Sequence, residues 1–392
     1  MSTSHGFFGA RWDSTANPSD EDISCGKGKE ISYQFAPSVA PQGEPSLLSV
    51  VLVHYSGVDD LLRCLASLQG QSHRQLEIVL VDNGSTDQGA VSVMAEQQAN
   101  HWQLPVRLVS LPTNQGFAAG ANAGVAESRG EFILLLNPDT EVTTESLGEL
   151  LSALEKGADI VAPRLLLRDQ PDHIDNCGHG LFPDGLNWCR GRGEQARGRY
   201  VQEEEILLFS GAAVMLRRSV FALLGGLDVR FFGYGEDADL SLRAARLGLS
   251  CRYVPSAVIY HRVGGSFGQL SLRKVFLVER NRVQVALTHL PTSWLLASPL
   301  WTLARLSVLS SEGARGRGLA ASWRPWQRLL LPFAVLAASG ASMLAVPGSL
   351  ARRRGMARLV RDGGGLDDSS WRQLLGAHRL GLRDITRRPA GV

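Results

Sequence analysis

The chain has 392 residues, long for one ordinary core and short for three domains. Its composition is globular, with 44% hydrophobic and 20% charged residues, and a net charge of +2 gives no footing for a nucleic-acid partner. The five cysteines, Cys25, Cys64, Cys177, Cys189 and Cys251, are widely spaced and form no Cys-x-x-Cys pair, which points to neither a zinc site nor a disulfide framework and fits a reducing cytosol. The N-terminus offers no uninterrupted apolar run, so no secretory signal is expected.

Residues 1–46 carry Ser, Gly, Pro, Asp and Lys without period and read as a flexible tail. The compact part then begins with a β-branched run, Leu48 to Tyr55, that predicts a buried strand. Leu61 to Leu68 has helical spacing, and Leu76 to Asp82 is a second strand, broken at Asn83-Gly-Ser-Thr-Asp87. A helix over Gln88 to Asn100, a strand over Val106 to Ser110, a small-residue helix over Gly116 to Ser128 and a strand over Glu131 to Leu136 follow. This alternation predicts an α/β fold, a mostly parallel sheet with helices on both faces, whose ligands bind at the carboxyl ends of the strands. His54, Tyr55, Asp82 and Asp139 all fall at such ends.

From Ala158 to Tyr260 the pattern loosens into polar, Gly-containing loops (Asp175 to Gly198), an apolar strand-like run (Ile206 to Leu216), a helix (Asp239 to Leu247) and a strand (Tyr253 to Tyr260). After Leu290 the chain becomes helical and basic: fifteen Arg, five acidic residues and no Lys follow His289. Leu290–Ala304 and Leu329–Leu350 are free of charge, and the second has the length of a membrane span. Pro332, Gly340, Pro347 and Gly348 dilute it, so a span, an interfacial helix and a packing helix are all open, while the flanking Arg residues suit peripheral contact with anionic lipid.

Several segments have the residue types that chemistry on a phosphorylated ligand needs. Asp82 can accept from a nucleobase N–H, or can close an Asx turn. Asn114-Gln-Gly116-Phe117-Ala-Ala-Gly120-Ala-Asn122-Ala-Gly124 lets a backbone approach a ligand or lets a helix pack closely on a sheet, and it lacks the Lys of a Walker A loop. Asp139, in Asn137-Pro138-Asp139, can hold Mg²⁺ or Mn²⁺, or simply belong to a turn. Glu236, Asp237 and Asp239 open a helix, where acids are favoured by the dipole and where crowded carboxylates can produce a general base. His261 is a possible second metal ligand.

In their order and spacing, Val-Asp82-Asn-Gly-Ser-Thr-Asp87, Asn114-Gln-Gly-Phe-Ala-Ala-Gly, Leu136-Asn-Pro-Asp-Thr140, Ser210-Gly-Ala-Ala-Val-Met, Gly225-Gly-Leu-Asp228, Tyr234-Gly-Glu-Asp-Ala-Asp-Leu240 and His261-Arg-Val-Gly-Gly-Ser266 resemble the inverting family-2 glycosyltransferases of GT-A fold, rhamnosyltransferase-like branch. The resemblance spans Leu48 to Leu290 and implies a GT-A domain over 47–290, with a helical, basic region over 291–392. It implies a donor that is a nucleotide-diphosphate sugar (dTDP-rhamnose for this branch), contacted by His54, Tyr55, Asp82, Asn83, Gly116, Phe117, Asn122, Asn137 and Gly211. It also implies a Mg²⁺ or Mn²⁺ ion on Asp139 and His261, and Asp237, beside Glu236, as the base. Trp188 and Asp239 are candidates for the acceptor side, a saccharide or lipid-linked saccharide in cell-surface polysaccharide synthesis at the inner face of the plasma membrane. The sequence departs from the family pattern at Asn137, where Asp is usual, and at His54, where Asn is usual. The absence of Gln-x-x-Arg-Trp disfavours a processive synthase. A nucleotidyltransferase would carry a Gly-rich, Arg- and Lys-containing loop after the first strand, which residues 54–63 lack; a non-catalytic sugar-nucleotide-binding protein is the remaining alternative.

Overall fold

The computed structural model describes residues 47–99, 102–104, 106–262, 271–315 and 325–386. The tail expected over 1–46 and the Val263–Ser266 part of the last motif lie outside them.

The chain runs β1 (Leu48–His54), α1 (Val58–Gln69), β2 (Leu76–Asn83), α2 (Gly89–Ala99), β3 (Val106–Leu111), α3 (Phe117–Glu127), β4 (Phe132–Leu136) and β5 (Thr140–Val142). It continues through α4 (Ser146–Glu155), β6 (Ile160–Leu167), β7 (Gln170–Asn176), β8 (His179–Leu181), β9 (Asn187–Cys189), β10 (Glu204–Glu205), β11 (Ala213–Arg217), α5 (Arg218–Leu223), α6 (Glu236–Arg246) and β12 (Cys251–His261). Helices α7 (Leu272–His289), α8 (Thr292–Ala314), α9 (Pro325–Leu344), α10 (Val346–Gly363), α11 (Asp368–Ala377) and α12 (Leu382–Thr386) follow.

The main sheet has the order β10-β12-β6-β11-β4-β1-β2-β3, with β5 on β12 and β7 on β6. Strands β3, β2, β1 and β4 are parallel, and β11 inserts antiparallel between β4 and β6. Alternation along each strand divides the core in two. Val50, Leu52, Ile78, Leu80, Leu134 and Leu136 pack on α1 and α4. Val51, Val53, Val79, Val81, Ile133 and Leu135 share a cluster with α3, α5 and α6. The small-residue helix α3 has a packing reason: a Cβ on Gly120 would lie 2.6 Å from a Val53 methyl, and one on Gly124 would lie 2.4 Å from Val51. Helix and sheet approach more closely here than any larger residue permits.

The helices after Leu290 fold back on this body. Trp371 and Leu375 of α11 share a core with Phe231, Ala238, Leu242 and Val285, and the Trp371 indole N–H donates to the His289 carbonyl at 3.0 Å. A buried network also ties α8 to α7 and to the β8–β9 turn: Arg305 contacts Asp184 at 2.8 Å and Glu279 at 2.9 Å, and Glu279 also meets Arg282 at 2.6 Å. Among the described residues no single helix is long and apolar enough to cross a membrane. The charge-free 329–350 stretch is divided between α9 and α10, whose segments Pro332–Leu344 and Val346–Gly363 meet at 57°.

Candidate functional site

The predicted residues separate into those open at the carboxyl edge of the sheet and those that hold that edge in place. Asp82, the penultimate residue of β2, is half-exposed; its Oδ1 accepts from the Ser85 amide at 2.8 Å, so the Asx turn forms and uses that oxygen. Tyr55 and Asn137 are also half-exposed, just past β1 and β4.

Several other expected donor contacts are committed to the frame. His54 is buried, with Nε2 3.0 Å from Asp87, and Asp87 also accepts from the Gly57 amide at 2.7 Å. Asn83 is buried and accepts from the Gln115 amide while donating to Asn114 and to the Gly116 carbonyl. Asn122 is buried and pairs with both backbone groups of Leu227, at 2.7 and 2.9 Å. Gly116 has a φ of 86° and a Cβ there would lie 2.2 Å from the Phe232 carbonyl oxygen, which accepts from the Phe117 amide at 2.6 Å. These side chains and this backbone crossing therefore bind the end of β2, the start of α3 and the loop before α6 to one another.

The acids of α6 differ sharply in environment. Asp237 is 9% exposed; its Oδ2 accepts from the Gly211 amide at 3.0 Å and its Oδ1 from the Ala238 amide at 2.8 Å. Gly211 thus acts on the carboxylate through its N–H. Burial, then the neighbouring Asp237 charge, pushes the Glu236 carboxyl up to about 8. Asp239, expected on the acceptor side, is instead buried beneath the helix, between His289 at 2.8 Å and Arg243 at 2.8 Å. Burial would raise its pKa, but Arg243 and His289 outweigh that and hold it well below the carboxylate range. Trp188 sits half-buried on β9, packed against Phe182 and Leu186.

Strand register brings Asp139 and His261 together. The antiparallel β5–β12 pair sets His261 opposite Thr140, and the Arg262 amide donates to the Asp139 carbonyl at 2.9 Å. His261 Nε2 lies 3.3 Å from Asp139 Oδ1, without hydrogen-bond alignment, so that buried oxygen has no hydrogen-bond partner among the described residues. Burial would lower the His261 pKa, yet Asp175 and Asp139 raise it to about 10. Carboxylates that favour a proton on this ring also favour a divalent cation in its place. Two ligands at ~2.1 Å on adjacent octahedral positions stand ~3.0 Å apart, so the pair fits Mg²⁺ or Mn²⁺. No group of three or more His, Cys, Asp or Glu gathers for a metal among the described residues. The pair therefore suits an ion that takes its other ligands from phosphate and water.

Sequence reasoning missed four residues here. Asp175 accepts from His261 Nδ1 at 2.7 Å. His179, buried on β8, has Nδ1 3.9 Å from Asp237 Oδ2; burial would lower its pKa, but Cys189 and Asp237 raise it to about 9. Asn281 and Arg280 of α7 donate to the carbonyls of Phe231, Gly233, Tyr234 and Arg230, fastening the loop in which Phe232 and Tyr234 take positive φ. For Arg280 and Asn281 a signal was present: the polar run Glu279 to Arg282 stands between the apolar Val275 to Val278 and Val283 to Leu287.

A mixed, mostly parallel sheet with helices on both faces and acids gathered at its carboxyl edge defines a fold of the GT-A type. Residues 49–225 match the family Glycosyl transferase family 2, and the fold that carries this segment is of the GT-A kind. It is 29% identical over 291 residues to an N-acetylglucosaminyl-diphospho-decaprenol L-rhamnosyltransferase of Mycobacterium tuberculosis, covering 68% of this chain and 92% of the relative. It is 26% identical over 212 residues to the low-salt glycan biosynthesis hexosyltransferase Agl10 of Haloferax volcanii, covering 51% of this chain and 62% of the relative. Among solved structures, GalNAc-T7 with UDP, GalNAc and Mn²⁺ shares the fold, with a TM-score of 0.51 at 18% identity over 62% of this chain and 48% of that one.

Proposed function

We propose that the protein transfers a sugar from a nucleotide-diphosphate donor to a hydroxyl of a lipid-linked saccharide, with inversion and with Mg²⁺ or Mn²⁺. The observation that carries this reading is the shared edge of Asp82, the Asp139–His261 pair and the Glu236–Asp237 pair. Asp82 would accept from the nucleobase through the oxygen its Asx turn leaves over. Asp237, held by two backbone N–H groups, would take the proton of the acceptor hydroxyl as the new glycosidic bond forms. The old C–O bond breaks in the same displacement and its electron pair leaves with the diphosphate. Glu236, neutral near pH 7, would leave Asp237 as the charged member of the pair. A divalent ion held by Asp139 and His261 would act as a Lewis acid on the departing diphosphate. The name of the Mycobacterium tuberculosis relative supports L-rhamnose as the sugar transferred and a diphospho-lipid-linked amino sugar as acceptor; dTDP as the carrier nucleotide is the reading that the motif resemblance implies.

A lipid-linked acceptor asks for a membrane contact. On α9, Ala338 and Ser342 are buried, with Ser342 reaching the Arg280 carbonyl at 3.2 Å, while Phe333, Leu336, Met343 and Leu344 are exposed. On α8, Leu296, Leu300 and Leu303 are 77%, 71% and 63% exposed and recur at helical spacing. With the exposed Arg354, Arg358 and Arg361 of α10, they support a peripheral site on the inner face of the plasma membrane.

Thermal shift against UDP, dTDP, GDP and CDP, each with Mn²⁺ and with EDTA, tests the donor reading. A ligand at about a hundred times its dissociation constant adds ~2.7 kcal/mol of stability. A shift for one nucleotide that requires Mn²⁺ is expected; no shift for any nucleotide removes the reading.

A further inference from the structure

We propose that Asp175 is a positioning residue for the metal site, fixing the tautomer and rotation of the His261 ring. The inference rests on Asp139 and His261 as the metal pair. Asp175 lies in β7, outside every motif that suggested the site. It is 2% exposed, and its two oxygens divide their work. Oδ2 takes the proton of His261 Nδ1 at 2.7 Å. Oδ1 takes Arg192 Nε at 3.1 Å and also contacts Arg192 Nη2.

The backbone provides an independent observation. The β6–β7 ladder pairs Leu165 with Asn176 and Leu166 with Ile174, so Asp175 is the extra residue at a register shift. Such a bulge re-aims a side chain out of the regular alternation, and bulges gather beside active sites. Here it turns Asp175 toward the end of β12, the strand beside β6 in the sheet.

The chemistry follows from the imidazole. A neutral ring carries its proton on one nitrogen and a lone pair on the other. With Nδ1–H held by a carboxylate, Nε2 presents its lone pair on the side of Asp139. Without Asp175 the ring can rotate or adopt the other tautomer, and either change removes a ligand. Carboxylate partners of this kind typically contribute 10–100-fold to metal affinity. Arg192 holds Asp175 from the segment after β9, so the metal site is coupled to that segment.

Two measurements test this on the full chain. Mn²⁺ is titrated by EPR into wild type and Asp175→Ala, each saturated with the nucleoside diphosphate that stabilises the wild type. The variant is expected to bind Mn²⁺ about 10–100-fold more weakly and to recover the wild-type nucleotide thermal shift once Mn²⁺ is saturating. Equal Mn²⁺ affinity overturns the assignment. Should the variant not fold, ¹⁵N NMR of the wild type with Mg²⁺ and the same nucleotide decides, the His261 signal being identified by its loss in His261→Gln. A proton on Nδ1 is expected, and a proton on Nε2 overturns the proposal. A wild type that binds no Mn²⁺ at all refutes the metal pair itself, a distinct outcome.

Discussion

Glu236 allows a quantitative test of the electrostatics at the catalytic edge. The residue is 6% exposed, and Oε2 has no hydrogen-bond partner among the described residues. Burial and then the Asp237 charge raise its carboxyl from 4.5 to about 8; Asp239 contributes less, its own charge being met by Arg243 and His289. Between those two pH values the folded protein holds a proton that the unfolded chain has released. Stability therefore falls as pH rises through this window, by at most ~1.4 kcal/mol per pH unit for one proton. Glu236→Gln preserves shape and cannot ionise. At pH 5 the two proteins should differ by less than about 1 kcal/mol, and by pH 7.5 the variant should be the more stable by on the order of 2–3 kcal/mol. Urea unfolding at pH 5, 6, 7 and 7.5, followed by far-UV circular dichroism and by tryptophan fluorescence, gives the comparison; coincident transitions license the two-state treatment. A gap that stays constant with pH, or one that favours the wild type as pH rises, refutes the protonated state of Glu236. Since that state is already neutral at pH 7, the same variant should keep turnover within about tenfold.

Asp237→Asn should behave in the opposite way, losing at least about a hundredfold in turnover while nucleotide binding by thermal shift survives; retention of more than a tenth of the activity would exclude it as the base. Gly116→Ala puts a Cβ 2.2 Å from the Phe232 carbonyl oxygen at a φ of 86°, so it should cost more than about 2 kcal/mol in urea unfolding, and a cost below half of that would show that the crossing yields easily. Changing Leu296, Leu300 and Leu303 together to Ser should reduce co-sedimentation with anionic liposomes and leave the melting temperature within a few degrees, because these side chains face solvent; unchanged sedimentation would remove α8 from the membrane contact.

The parallel half of the sheet was legible because its signals are local. The runs at 48–55, 76–82, 106–110 and 131–136 are apolar and β-branched, are separated by helical spacing, and became β1 to β4 with ends displaced by one residue at most. The region after Ala158 was not. Strand β6 carries Pro163 and Arg164 within its span and was passed over, though it pairs with β11, β12 and β7. Strands β8 and β9 fall where polar loops were expected, and β7 runs into the start of that stretch, since Asp172, His173, Asp175 and Asn176 show no apolar alternation. Their order comes from partners far along the chain, such as Arg192 and His261, which no local pattern contains. The apolar run over Ile206–Leu216 is a strand only from Ala213 onward; its first part is buried without a ladder, packed among residues of two other clusters.

The same distinction governs the site. A carboxylate or amide at a strand end was read as facing a ligand, and the type of residue cannot separate a side chain open to the cleft from one already satisfied by the protein. Asp237 and Asp239 are two positions apart on one helix, yet Asp239 is neutralised by His289, fifty residues onward, while Asp237 meets only backbone N–H groups at hydrogen-bond distance. Asn122 is likewise consumed by Leu227, and His54 gives its Nε2 to Asp87 while its buried Nδ1 has no partner among the described residues. What turns a strand-end acid into a candidate for chemistry is an unfilled requirement, such as the buried Asp139 oxygen beside His261 or the Glu236 oxygen beside Asp237. Leaving a buried polar atom without a partner costs about 1–3 kcal/mol. A fold that holds such atoms at one edge of its sheet, Asp139 Oδ1, Glu236 Oε2 and His54 Nδ1 among them, would recover that cost from a ligand that partners them, and the hydrogen bonds of His54, Asn83, Asn122 and Asn281 hold that edge in place.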